Sequence, residues 1–280
     1  MRKQNAPLVN DAQILTEIVD GKRGTRNTRL NNIKNRVNGA YTDFTVNSVY
    51  LGVMEPIELG KTQKKDMEHC YRSKTTGLSN LKSAILDGLS AVDKELCPYC
   101  GIREPGEFDH YLPKSKFQEF SVFSKNLIWS CHKCNHRKRE HFVLSDRYLN
   151  TYYDVIPDEQ FLFCRIGLPL ENEGISFYLE KPDSIDERQY KDIGDHVQKL
   201  KLLGTYKQRA SLTLSSWFKT WQKMLVRYGD VEQLKTHITY SLEAEIDTDQ
   251  EEYGLNHYKV VLKKAVLSQI DAIIKSFSTT

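Results

Sequence analysis

The chain has 280 residues, of which 39% are hydrophobic, and a formal net charge of +3. This length suits one large domain or two ordinary domains with a real core, and so small a net charge does not by itself identify a nucleic-acid partner. No apolar run long enough to span a bilayer is present, and Met1 to Asn5 lack the apolar core of a signal peptide. These features argue against membrane and secreted classes and predict a cytoplasmic protein.

The N-terminal segment, residues 1–78, is predicted to be a basic arm or polar loop that contacts DNA or a partner. Six basic residues and no acidic residue lie between Lys22 and Arg36. Such a cluster favours phosphate contacts, although a solvated loop or a protein contact stays open. A helix is then predicted over Ser79 to Leu96, capped by Ser79, because apolar residues recur at helical spacing.

Six cysteines are present, and four form two Cys-x-x-Cys pairs separated by thirty residues. In a reducing compartment, such pairs predict a structural zinc site with four thiolate ligands, with redox or coincidental cysteines as the alternative. Pro98 and Gly101 favour a tight turn, and Gly101 can adopt a positive φ. The predicted zinc ligands are Cys97, Cys100, Cys131 and Cys134, whereas Cys70 and Cys164 are interpreted as ordinary semi-buried residues.

Chemically reactive residues lie between and just after these pairs. Asp109 and His110 follow the first pair, Asn126 precedes the second within the short segment Asn126–Ser130, and a helix is predicted over Cys134 to Phe142. An isolated Asp-His pair is usually structural, so the order and spacing of the whole set carry the interpretation.

The remaining residues, 148–280, are predicted to be mostly helical. Short strands are expected at Phe161–Ile166 and Ile175–Leu179. Helices are expected at residues 184–203, 207–228, 231–245 and 255–277, and Glu243 to Glu252 form an acidic segment that we interpret as a solvated loop or a partner contact. The predicted fold class is α+β, a mostly helical chain with a small metal-organised unit between Cys97 and Lys138.

One ordered pattern runs from Cys97 to Lys138: Cys97-x-x-Cys100, Asp109-His110-x-x-Pro113, Asn126-Leu127, Cys131-x-x-Cys134-Asn135 and Lys138. This region resembles the His-Asn-His endonucleases whose ββα-metal core is held by two cysteine pairs. The resemblance implies a ββα-metal finger embedded in a nuclease core over residues 79–147. The matching positions differ in one respect, since many members have histidine after the fourth cysteine, where this chain has Asn135 followed by His136. The resemblance covers about forty-two residues of the 280.

The chemistry assigns a role to each catalytic residue. His110 is expected to act as the general base on water, while Asp109 and Asn135 hold Mg²⁺ or Mn²⁺, which prefer oxygen ligands. The resemblance implies that Asn126 braces the loop and orients the His110 ring. The residues expected to contact DNA phosphates are Lys114, Arg137, Lys138 and, with less weight, Arg139; His132, His136 and His141 are expected at the surface, with His136 a minor candidate for the catalytic ion.

A second resemblance concerns Ile193 to Arg209. Together with the nuclease pattern, this stretch is similar to the nuclease subunit of Septu-type bacterial anti-phage systems, which also accompany some retrons. That similarity implies an ATPase partner subunit, which the acidic segment could contact. Two alternatives stay open: a catalytically inactive zinc-ribbon protein that binds nucleic acid or serves as a scaffold, and a freestanding restriction or homing-type nuclease.

Overall fold

The structure, a computed structural model, describes residues 1–140, 147–168 and 174–277. The chain divides into two compact units, Met1–Ile156 and Pro157–Thr280. It is mostly helical with two small antiparallel sheets, which confirms the α+β class. Within the described ranges, we find no helix with the length and apolarity needed to cross a bilayer.

The first unit consists of six helices and one β-hairpin within the described residues. Three short 3-10 turns, Ser48–Val53, Gln118–Phe120 and Ser124–Asn126, connect them. The helices and strands, in chain order, are α1 Asp11–Asp20, α2 Gly24–Val46, α3 Lys61–Arg72, α4 Thr76–Asp87, α5 Ala91–Glu95, β1 Glu107–His110, β2 Leu127–Ser130 and α6 His132–Lys138.

The prediction of a basic arm or polar loop over residues 1–78 is wrong, because this segment folds into the helices α1, α2 and α3. In α2, buried apolar residues recur three or four positions apart, as on the core face of a helix. The intervening Asn, Arg and Thr residues lower the mean hydropathy of α2 and conceal this spacing. The buried residues of α2 are Leu30, Ile33, Val37, Ala40, Tyr41 and Phe44.

The basic cluster of α2 and its N-terminal flank is largely engaged within the protein. Arg26 and Arg29 both pair with the buried Asp66 carboxylate, at 2.9 and 2.7 Å. Lys22 is buried and donates to the Ser73 hydroxyl, and Arg36 donates to the Glu58 carbonyl. Four of the six basic residues therefore have intramolecular partners, which weakens the case for a DNA-binding arm.

The helix predicted at Ser79–Leu96 is two helices, α4 and α5, and Ser79 is not its cap. Thr75 caps α4 through the Leu78 amide, and Ser90 caps α5 through the Asp93 amide. Gly77 allows α4 to approach α1 closely, because a Cβ at this position would lie 2.8 Å from the Ile18 backbone nitrogen. The break between the helices turns the chain toward the first cysteine pair.

Helix α2 supports the long loop that joins β1 to β2. The Tyr41 ring stacks on Phe123 with centroids 4.2 Å apart, and Phe44 meets Phe120 edge-on at 5.1 Å. At the start of α1, Asp11 accepts hydrogen bonds from the backbone amide and hydroxyl of Ser124. Aromatic packing and these hydrogen bonds hold the loop against the helical core.

The second unit contains a second hairpin and five helices among its described residues. Strands β3 and β4 pair antiparallel and confirm both predicted strands; α10 packs on β3 and α8 on β4. The elements are β3 Leu162–Ile166, β4 Ile175–Leu179, α7 Glu187–Lys199, α8 Leu202–Tyr228, α9 Val231–Tyr253, α10 Tyr258–Ser268 and α11 Ile270–Phe277.

Two predicted features of the second unit need correction. The helix predicted over 255–277 divides at Gln269, whose side chain accepts from the Ile166 amide and donates to its carbonyl. The acidic Glu243–Glu252 segment is helical and belongs to α9, because the buried residues Leu234, Ile238, Leu242 and Ile246 continue at intervals of four. Two of its carboxylates, Glu245 and Asp249, pair with Lys263.

Candidate functional site

The four paired cysteines come together in the first unit. Their sulfur atoms all lie within 4.8 Å of one another, and all four side chains are buried. Cys97 and Cys100 follow α5, whereas Cys131 and Cys134 lie at the start of α6. Gly101 adopts a φ of +65°, as the tight turn was expected to require. The spacing therefore predicted this cluster correctly.

The cluster suits a zinc ion chemically. Burial raises the pKa of the Cys97 thiol, so four crowded thiolates are unfavourable without a neutralising cation. Sulfur ligands about 2.3 Å from a tetrahedral zinc lie close to one another, as these sulfurs do. The residues present fit zinc, and the cation would join the segment after α5 to the start of α6.

Strand β1 carries the first two candidate catalytic residues. In the antiparallel register, Asp109 is opposite Ile128 and His110 is opposite Leu127. Successive residues of a strand point to opposite faces, so the carboxylate and the imidazole leave β1 on different sides. Helix α6 packs against β1 and completes the order β1, β2, α6.

The Asp109 carboxylate has two buried partners. Its Oδ2 accepts a 2.7 Å hydrogen bond from the Tyr99 hydroxyl and lies 3.1 Å from Lys138 Nζ. Lys138 also donates to the His110 carbonyl at 2.8 Å, and its side chain is only 1% exposed. The structure therefore places Lys138 in the interior beside Asp109, not on a surface where it would meet a phosphate as the sequence led us to expect.

We expect Lys138→Met to lower the free energy of unfolding by about 3 to 5 kcal/mol, because it leaves a buried carboxylate without its cation. Lys133→Met, an exposed lysine of the same helix, is the matched control. Urea unfolding measures both variants. The double variant Asp109→Asn with Lys138→Met should recover part of the loss, and equal stability of Lys138→Met and the control would disprove the ion pair.

His110 lies in a defined orientation. Its Nε2 is 3.0 Å from the Ser121 carbonyl oxygen, and the edge of its ring meets Tyr71 with centroids 4.4 Å apart. A carbonyl only accepts, so Nε2 carries the proton and Nδ1 keeps its lone pair. Burial lowers the pKa of His110 to about 3, with smaller contributions from nearby lysines, so the ring is neutral at neutral pH. Among the described residues, Nδ1 has no hydrogen-bond partner.

Asn126 fastens the loop between the strands. Its Oδ1 accepts from the Leu112 amide at 2.7 Å, and its Nδ2 donates to the carbonyls of Leu112 and Phe120. Phe120 directly precedes Ser121, whose carbonyl receives the His110 ring. Asn126 thus braces the segment that orients His110 and makes these contacts while fully buried.

Asn135 lies three residues before Lys138 on α6, which places the two on the same face of the helix. Its side chain is half-buried and has no hydrogen-bond partner among the described residues. His136 is exposed on the side of α6 away from Lys138, where its ring stacks on His132 and its Nε2 lies 3.3 Å from Arg139. Asn135, and not His136, therefore faces the region of Asp109.

The other residues predicted to contact DNA phosphates differ in their exposure. Lys114 is half-buried over the Tyr71 ring, Arg137 is half-buried, and Arg139 is exposed at the end of α6 with a φ of +48°. The helix expected to reach Phe142 ends at Lys138. His141 and Phe142 themselves lie outside the described residues.

Three contributors to the site were not predicted from sequence. Tyr99 stands between Cys97 and Cys100, so its position inside the first knuckle was an available signal. Tyr71 and Lys82 come from α3 and α4, and Lys82 Nζ lies 5.0 Å from the Tyr71 ring centroid. No local pattern marks either residue, because both approach His110 only through the packing of the helices.

Comparison with known proteins finds a distant relative. The chain is 27% identical over 172 residues to protein ea31 of Escherichia phage lambda, a match that covers 58% of this chain and 57% of ea31. The chain thus matches little more than half the length of this relative, whose name states no activity. No family model matches the chain, and no solved structure matches it.

Proposed function

We infer that the protein is a metal-dependent endonuclease of the His-Asn-His type that hydrolyses DNA phosphodiester bonds. The observation that carries this inference is the orientation of the His110 imidazole, whose Nε2 donates to the Ser121 carbonyl and leaves the lone pair on Nδ1. A purely structural zinc knuckle needs no such histidine. Asp109 beside it and Asn135 on the facing helix support the same function.

The proposed reaction uses His110 as a general base. Nδ1 takes a proton from water as the water oxygen forms a bond to phosphorus. The bond between phosphorus and the leaving sugar oxygen then breaks, and that oxygen takes up a proton from solvent. Asn126 acts through the loop, since its hydrogen bonds keep Ser121 in place for the ring.

The residues around Asp109 also fit a hard divalent cation. Asp109 offers a carboxylate, and Asn135 offers an amide oxygen that accepts no hydrogen bond from the part of the chain that the structure describes. These are the ligand types that Mg²⁺ or Mn²⁺ prefers. Such a cation would neutralise negative charge on the phosphate. Lys138 already lies against the carboxylate, so this ammonium must share Asp109 with the cation or move aside. The four thiolates would hold a separate, structural zinc.

The test is conversion of supercoiled plasmid by the purified protein with Mg²⁺, with Mn²⁺ and without added divalent cation. We expect nicked or linear product only when one of these cations is present. Product that is independent of added cation would contradict the metal requirement. A folded, zinc-containing protein that cuts under none of the conditions would favour the inactive zinc-ribbon alternative.

The biological setting is a further part of this proposal. Similarity of Ile193–Arg209 to Septu-type subunits supports an anti-phage effector that works with an ATPase subunit, and a freestanding nuclease is the alternative. Capture of an ATPase by the tagged protein in its native host separates the two. This partner stays a prediction from the sequence.

A further inference from the structure

Three side chains from separate segments meet beside His110. Tyr71 comes from α3, Lys82 from α4 and Lys114 from the loop after β1. The ammonium nitrogens of Lys82 and Lys114 lie 5.0 and 4.9 Å from the Tyr71 ring centroid. The two nitrogens are therefore separated by no more than the sum of these distances.

Tyr71 is a fixed platform for these lysines. Its hydroxyl lies 3.4 Å from the Phe108 carbonyl oxygen, to which it donates, and its ring meets the His110 imidazole edge-on. An aromatic face attracts ammonium groups, so the ring holds both lysines near the histidine. Lys82 also lies 6.0 Å from the Phe108 ring centroid, which restricts it further.

The two lysines have no paired carboxylate. Within the described part of the chain, neither forms a salt bridge, although both are half-buried. Burial lowers the pKa of Lys114, and the Arg72 guanidinium adds to this shift, whereas the more distant carboxylates of Glu68, Asp109 and Glu140 oppose it. A phosphate beside either ammonium group would accept the charge-assisted hydrogen bonds that it does not make to a carboxylate within the described residues.

We propose that Lys82 and Lys114, held on the Tyr71 ring, form a phosphate-binding site that places the nucleic-acid backbone against His110. This inference rests on the proposed function and assigns a DNA contact to α4, outside the Cys97–Lys138 region. A ligand phosphate at this site would lie next to the imidazole. The site binds phosphate without regard to base, because ammonium groups act as point charges.

The experiment measures binding of a fluorescent duplex DNA by anisotropy across a range of NaCl concentrations, without added divalent cation so that cleavage does not interfere. We expect Lys82→Gln and Lys114→Gln each to weaken binding by roughly threefold to tenfold at about 0.1 M salt. Each should reduce the slope of log affinity against log salt by about 1, and the double variant by about 2.

Control variants distinguish phosphate binding at this site from a general effect of the protein's net charge. Lys94→Gln removes an exposed lysine from α5 and should leave affinity and slope near those of the parent protein. Tyr71→Phe keeps the ring and should preserve binding, whereas Tyr71→Leu should weaken it as the double lysine variant does. Binding by the double variant equal to that of Lys94→Gln would overturn the site, while plasmid cleavage by the parent would leave the nuclease proposal standing. A parent protein that neither binds nor cuts DNA would overturn both.

Discussion

His110→Ala is expected to reduce Mg²⁺-dependent or Mn²⁺-dependent plasmid cleavage by about 10² to 10⁴-fold, the usual contribution of a general base. The substitution removes the imidazole Nδ1, the atom that is proposed to accept the proton from water. The initial rate of plasmid nicking measures the loss. Zinc content and the circular dichroism spectrum should stay those of the parent protein, because His110 is not among the clustered cysteine ligands.

The matched control for this variant is His132→Ala. The His132 side chain is 84% exposed, pairs with Glu107 and stacks on the His136 ring at the surface. We therefore expect cleavage to remain within about twofold of the parent rate. If His110→Ala cuts as fast as His132→Ala, then His110 is not the base. The proposed reaction would then need another proton acceptor.

Cys97→Ser is expected to weaken zinc binding by the first unit and to lower the free energy of unfolding of this unit. Zinc binding contributes roughly 10 to 16 kcal/mol to folding in isolated zinc-finger peptides, and a hydroxyl replaces the thiolate poorly. We expect the zinc content to fall well below one ion per chain and the free energy of unfolding of this unit to fall by several kcal/mol. Metal analysis and urea unfolding provide the two measurements.

Cys164→Ser is the control for this second prediction. Cys164 lies in β3 of the second unit and has no place in the cysteine cluster. Its substitution should leave the zinc content unchanged. Treatment of the parent protein with a strong chelator should reproduce the instability of Cys97→Ser. Full stability of Cys97→Ser with zinc retained would show that this cysteine is not a ligand.

Helix prediction from the sequence succeeded where apolar residues dominated one face. The strands at Phe161–Ile166 and Ile175–Leu179 were found, and so were the long helices of the second unit. Helix α2 was missed, because only its spacing, and not its mean hydropathy, marks the core face. The acidic end of α9 was interpreted as a loop for the same reason, since charge obscured Leu242 and Ile246.

The residues of the site also divide into those that the sequence predicted and those that it did not. The sequence by itself determined the spacing of the four cysteines, the adjacency of Asp109 and His110, and the presence of Asn126 and Asn135. These are local properties, because spacing along a short hairpin and one helix turn decides which groups can meet.

Only the tertiary structure decided what surrounds those residues. Lys138 turns inward to Asp109 because α6 packs against β1, a contact that the pattern of one helix does not reveal. Tyr71 and Lys82 reach His110 because α3 and α4 pack near the hairpin from distant parts of the chain. Contacts between residues so far apart in sequence depend on how the helices bury their apolar faces, and that packing placed lysines and an aromatic ring beside the histidine.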